Sequence, residues 1–194
     1  MQTISDLRPL HHHALDVAGT VLARVGPADL SRATPCAGWD LRTLLGHVIG
    51  QNHGFATAVA APDAPLGAYA DRVPAPDGVA AAWQESADQV ATAFAAAPLD
   101  REVLLAEISP DMRFPVATVV RFHLLDTVVH AWDVATALGE RFRPDDELVT
   151  ATLAIARQVP GGPAREQPGA SFAPQRPVDG RDDWHDALAL LGRG

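Results

Sequence analysis

Pro115-Val-Ala-Thr-Val-Val-Arg-Phe-His-Leu-Leu-Asp126-Thr-Val-Val-His130-Ala-Trp-Asp-Val-Ala-Thr-Ala-Leu138 reads as one long helix. Proline is tolerated in a first turn, where the amide hydrogen it lacks would have no partner, and Gly139 suits a left-handed C-cap. Asp126 and His130 stand inside this helix. Side chains four residues apart are stacked neighbours, so an acid and an imidazole can converge on one cation without bending the backbone. The pair is a candidate metal half-site.

Working outward, further helical periods alternate with Pro- and Gly-rich breaks. Ser5 or Asp6 can cap a first helix that runs to about Val25, with Leu15, Ala18, Val21, Leu22 and Val25 as its apolar stripe and Gly26-Pro27 as its stop. Thr34-Pro-Cys-Ala-Gly-Trp-Asp40 is a turn into a second helix, about Leu41 to Ala61. Asp40 is its N-cap, because the carboxylate can accept free amide hydrogens of the first turn. A third helix spans about Val79 to Ala97, with Trp83, Ala87, Val90 and Phe94 on one face. A fifth follows Pro144, with Asp145, Asp146 and Glu147 at its positive end, and a short last one covers Trp184 to Leu191.

The connections between the second and third helices and between the third and fourth are long. Residues 99–114 are ambiguous, and Val103-Leu104-Leu105 with Phe114 suits an extended connection. Residues 160–180 lack periodicity and read as a wrapping loop or a mobile tail. No strand alternation persists and no internal repeat occurs. The expectation is an all-α, single-domain chain over 1–194: a four-helix bundle with long connections and a short C-terminal helix.

Composition narrows the function classes. All 15 basic residues are Arg, and 24 acids bring the formal charge to -9. That balance speaks against a nucleic-acid partner, which would meet a basic face. The single cysteine, Cys36, allows no intramolecular disulfide. The N-terminus lacks the pattern of a signal peptide, and no run approaches the ~18 apolar residues of a membrane span. A cytoplasmic location and no membrane partner are expected. The triple His11-His12-His13 reads as exposed or partly buried imidazoles on the first helix.

His47 shares a helical face with Leu44, Gln51 and Phe55, so it is expected to point inward, where an unpaired imidazole is costly unless bonded or bound to metal. Bundles build metal sites by projecting His and carboxylate side chains inward from facing helices. Three protein ligands with an open position describe a catalytic site better than a structural one. His123 lies on the face of Asp126 and His130. It is the candidate catalytic acid or base, with ligation, a hydrogen bond behind the ligands or a structural place as alternatives. Asp133 can orient an imidazole, or equally cap the helix or sit at the surface. His53 should point away, and Cys36 reads as packing in preference to a nucleophile. Arg113 or Arg121 can hold an anionic substrate.

Thr34-Pro-Cys-Ala-Gly-Trp-Asp, Leu44-Leu-Gly-His47 and Asp126-x-x-x-His130-Ala-Trp-Asp133 resemble signatures of the DinB/YfiT-like superfamily, in the branch of mycothiol-dependent maleylpyruvate isomerase N-terminal domains and their metal-binding relatives. The resemblance extends to the closing Phe172-Ala-Pro-x-x-Pro-Val and Ala187-Leu-Ala-Leu-Leu-Gly-Arg. It implies a four-helix bundle holding a divalent metal, commonly zinc, through one His on the second helix and an acid-x-x-x-His pair on a later one. Carried over by position, the ligands are His47, Asp126 and His130. The isomerases of the branch carry a further C-terminal domain, which 194 residues are expected to be too few to include. They also use Glu where this chain has Asp126.

The resemblance implies a divalent-metal, low-molecular-weight-thiol (mycothiol-type) dependent transferase or isomerase. Zinc is the expected metal, with Ni, Mn, Fe or Co as alternatives, mycothiol the expected co-substrate and a small electrophile the partner molecule. A homodimer is left open. A metal-dependent hydrolase using activated water and a non-catalytic metal- or ligand-binding bundle are the competing readings.

Overall fold

The structure is a computed structural model that describes residues 6–61, 63–167 and 169–194. Its helices are α1 (Arg8–Leu22), α2 (Leu41–Ala60), α3 (Val79–Ala96), α4 (Val116–Leu138), α5 (Asp146–Ala156) and α6 (Asp183–Leu190). Two short strands, β1 (Glu102–Leu104) and β2 (Arg113–Pro115), join α3 to α4. Contacts divide the chain into two compact units, residues 1–142 and 143–194. Among the described residues, no helix is long and apolar enough to cross a membrane.

The first unit is the expected helical bundle. Its main helix contacts pair α1 with α3 and α4, and α2 with α3 and α4. Sequence neighbours α1 and α2 therefore occupy opposite corners, as do α3 and α4. The core is aliphatic with a few aromatics, including Leu22, Leu44, Leu45, Phe94, Val120 and Leu124.

Helix ends follow local chemistry. The carboxylate of Asp40 accepts the Thr43 amide at 2.8 Å, which makes it the N-cap of α2. The N-cap position of α1 is Leu7, not Ser5 or Asp6, and it makes no side-chain capping bond; Asp6, one residue earlier, accepts the Arg8 amide, and Ser5 lies outside the described residues. α1 stops at Leu22 rather than Val25, because bonds from Arg24 to Val21 and from Val25 to Leu22 tighten the chain into an i→i+3 turn before Gly26-Pro27. Pro115 stands outside the helix it was expected to begin. It ends β2, opposite Glu102, and the free amides of Val116 and Ala117 at the start of α4 donate to the carbonyls of Arg101 and Leu99. The extended reading of 103–105 and Phe114 thus resolves into an antiparallel hairpin. Gly139 closes α4 at φ +78°, which a residue without Cβ adopts freely.

A glycine stripe on α2 organises the connection to α3. Gly46, Gly50 and Gly54 recur every four residues, on one face of the helix, and residues 69–73 lie directly on them. A Cβ on Gly50 would come within 2.6 Å of the Ala70 carbonyl oxygen, and one on Gly54 within 2.2 Å of the Tyr69 ring. The amide of Arg72 bonds the Gly46 carbonyl at 2.8 Å. In open solvent Gly50→Ala would gain about 1 kcal/mol of helix propensity. Here the methyl meets backbone that cannot swing aside, and overpacking of this kind costs ~1–3 kcal/mol. We expect a lower thermal midpoint for Gly50→Ala; a midpoint equal to or above wild type would show that residues 69–73 do not press on the helix.

In the second unit, Asp145 caps α5 by accepting the amides of Glu147 and Leu148, Asp182 caps α6, and the two helices pack together. Trp184, Leu188 and Leu191 are buried. Of the segment expected to be a loop or tail, residues 160–167 and 169–180 are described, and they hold one short 3-10 turn, Pro163–Glu166, and otherwise irregular backbone. Buried Arg165 donates to the carbonyls of Val159, Pro160, Ala173 and Leu190, and the Phe172 ring lies 5.7 Å from both the Arg165 and Arg193 cations.

Candidate metal centre

α2 and α4 pack side by side in the bundle, which brings His47 opposite Asp126 and His130. One ligand atom from each lies within 4.8 Å of the others. The Asp126 Oδ1 to His130 Nε2 separation is 3.2 Å. A tetrahedral ion with ~2.0 Å bonds has ligand atoms about 3.3 Å apart, so this pair is spaced for one cation. The side chains of His47, Asp126 and His130 remain 19%, 27% and 12% exposed, which leaves an approach from solvent. Two imidazoles and one carboxylate with room for a further ligand match the donor chemistry of catalytic zinc sites.

Two neighbours steady His47. The Trp39 ring sits 4.8 Å away, centroid to centroid, and the Asp71 carboxylate lies 3.7 Å from Nδ1. Asp71 reaches it because the glycine stripe lets its segment lie close to α2. Trp39 arrives through the turn before the helix. There the Thr34 hydroxyl donates to the Trp39 carbonyl and accepts the Cys36 amide, and Gly38 takes φ +80°, which the tight return requires.

The same turn delivers Cys36 to the rear of His130. Asp133 is fully buried; its Oδ2 accepts the His130 Nδ1 proton at 2.9 Å and the Cys36 thiol at 3.3 Å. Of the open readings for Asp133, the structure selects the one that orients an imidazole. Cys36 is half-buried and hydrogen-bonded, not simply packed. With Nδ1 committed to Asp133, Nε2 is the nitrogen that faces Asp126 and His47.

Charge and burial set the protonation. Burial opposes a charged His130, but the flanking Asp126 and Asp133 carboxylates and the Cys36 contact outweigh it and hold the imidazole well above its ordinary value. Burial likewise opposes ionisation of Asp126, and the His130, His47 and His123 rings hold its carboxyl well below the usual carboxylate range. His47 is lowered by burial, against the pull of Asp126 and Asp71. Both shifts favour an aspartate beside an imidazolium, so a cation binding here would have to displace the Nε2 proton.

His123 takes a different place. It is 1% exposed, and its Nδ1 lies 2.8 Å from His11 Nε2, beneath the rings of Phe55 and Phe94. It is not among the three convergent ligand atoms. Burial lowers His123 to about 4 and also lowers His11 well below its ordinary value, so both rings are neutral. The expectation of exposed or partly buried imidazoles holds for His12 and His13 but is corrected for His11, which shares the inward face of Ala14, Leu15, Ala18 and Leu22. His53 is half-buried and outside the cluster. Arg113 is exposed and paired with Asp63, while Arg121 is half-buried on α4.

One side chain near the site was hidden in the ambiguous segment. Glu107, in the loop between β1 and β2, accepts the amide of buried Gln51 at 2.7 Å, one helical turn beyond His47. Desolvation, with the charges of Asp126 and Asp71, outweighs the Gln51 hydrogen bond and pushes its carboxyl up to about 7. Gln51 on the face of His47 was the only hint of it in the sequence.

Residues 11–135 match the family model described as mycothiol maleylpyruvate isomerase N-terminal domain. Two uncharacterised proteins, from strains CDC 1551 and H37Rv of Mycobacterium tuberculosis, are each 34% identical over 190 residues, covering 94% of this chain and 95% of theirs. The fold is similar to the crystal structure of the mycothiol-dependent maleylpyruvate isomerase (TM-score 0.58, 14% identity) and to that of a histidine-to-alanine mutant of it (TM-score 0.62, 15% identity). Each likeness covers 80% of this chain and 72% of the other.

Proposed function

Because the chain belongs to the mycothiol maleylpyruvate isomerase N-terminal-domain family, we propose that it is a divalent-metal and thiol-dependent isomerase or transferase acting on a small electrophile. The observation that carries this reading is the convergence of His47, Asp126 and His130 from two packed helices. These three side chains would hold the cation, and zinc suits the donor set best. When bound, a divalent cation lowers the cost of ionising a thiol at neutral pH. A mycothiol-type thiol is the co-substrate that the family suggests.

The chain's own residues have separable tasks. Asp133 accepts the Nδ1 proton of His130, so that it is Nε2 that would give up its proton and turn its lone pair to a cation. Trp39 and Asp71 limit the swing of His47. Partial exposure of all three ligands admits thiol and substrate from solvent. His123, buried against His11, is read as core and not as the proton carrier.

The test is metal analysis of protein purified without immobilised metal, followed by titration of the cobalt-substituted form with mycothiol and simpler thiols. About one metal per chain and a sulfur-to-cobalt charge-transfer band are expected. No retained metal, or no band with any thiol, would sink the proposal.

A further inference from the structure

The hairpin loop between β1 and β2 brings a further carboxylate, Glu107, onto α2 one helical turn from His47. The Glu107 side chain is held by Gln51, a residue only 4% exposed and four residues along α2 from His47. The electrostatic reach of Glu107 extends to Asp126 and His130 on α4 and to Tyr69 on the glycine-stripe segment. The Tyr69 hydroxyl is buried and has no hydrogen-bond partner among the described residues. A buried hydroxyl left without a partner marks a place that a water or bound molecule completes. Glu107 itself is exposed enough to meet a molecule arriving from solvent.

From this placement we infer that Glu107 is the catalytic proton carrier of the site, accepting the thiol proton and returning it when the thiol departs. The inference rests on the thiol-dependent reading given above. In the first step the S–H bond breaks, the proton bonds to a Glu107 carboxylate oxygen and the electron pair stays on sulfur. The sulfur pair then forms an S–C bond to an electron-poor alkene carbon, and the alkene π pair moves onto the conjugated carbonyl oxygen. After rotation about the new single bond the electrons return, the S–C bond breaks and sulfur takes its proton back from Glu107. Nothing is oxidised or reduced.

The groups acting on Glu107 are Asp126 and Asp71, which favour its protonated form, and His130, which opposes them. A cation among the three ligands adds positive charge and favours the ionised form. In that state Glu107 would be a carboxylate, the form that accepts a proton.

Three measurements on the full chain test this. Glu107→Gln keeps a hydrogen-bonding partner for Gln51 and lies outside the ligand set, so its metal content should equal that of wild type. In stopped-flow mixing of cobalt-loaded protein with mycothiol, the charge-transfer band of wild type should grow faster as pH rises through the Glu107 ionisation. Glu107→Gln should be at least tenfold slower at pH 7 and lose that inflection; Glu107→Asp should recover part of the rate. A carboxyl resonance titrating near neutrality in metal-free wild type and missing from Glu107→Gln is the independent readout. A normal band with unchanged rate and pH profile in Glu107→Gln overturns the inference alone, as does a Glu107 resonance that titrates in the ordinary carboxylate range. No band in wild type with any thiol overturns the thiol reading and the inference with it.

Discussion

Asp126→Ala is expected to lose metal affinity by more than a hundredfold while helix content stays unchanged. It removes a charged oxygen at the spacing one cation requires and leaves His130 without the carboxylate beside Nε2. His47→Ala should behave likewise, because it removes the only ligand supplied by α2. The core surrounding them is largely aliphatic, so the fold is expected not to need the ion. Asp126→Glu should retain metal, since it keeps a carboxylate oxygen on the same helical face. Asp133→Asn should fall within the ~10–100-fold range for groups that orient a ligand. His123→Ala should cost least, its ring being turned to His11. The order is read by competition with a chromophoric chelator and by circular dichroism. If His123→Ala empties the site while Asp126→Ala leaves it filled, the ligand set is His47, His123 and His130.

Acid should destabilise the protein through the His11–His123 pair by a few kcal/mol. Both rings are neutral in the folded state because burial lowers them, His123 to about 4, whereas an unfolded histidine titrates near ~6.5. Between those values the unfolded chain binds more protons. The stability contributed by neutral burial is thus fully present above the unfolded value and is lost as pH falls through the folded one. His130 has the opposite sign: its folded value is raised, so its contribution is present below the unfolded value and is lost as pH rises through the folded one.

Comparing variants isolates the buried pair. His123→Leu leaves the His11 nitrogen without its partner and should cost ~1–3 kcal/mol at neutral pH. His11→Leu combined with His123→Leu replaces both partners by apolar groups, so it should recover much of that loss and flatten the urea midpoint between pH 4 and 6.5. A double variant with the same acid dependence as wild type would place the acid sensitivity elsewhere.

Periodicity and spacing carried much of the architecture and of the candidate ligand set. Helical stripes, the Asp40 cap and the Gly139 stop are local effects, decided by side chains within one or two turns. An acid and an imidazole at i and i+4 share a face in any helix, so Asp126 and His130 could be paired before any packing was known. His47 could be turned inward by its neighbours but not aimed at α4, since that depends on which helices share an edge of the bundle.

What the sequence alone determined, then, is an all-α chain with inward-facing histidines and an acid-x-x-x-His pair. Tertiary structure alone decided the partners: His123 to His11 instead of the ligand cluster, Cys36 and Asp133 behind His130, Asp71 beside His47, and Glu107 on Gln51. These pairs are separated by 24 to 112 positions, apart from the local His130–Asp133 pair. Helical periodicity fixes which way a side chain leaves its own helix, but only packing of one element against another decides what it meets.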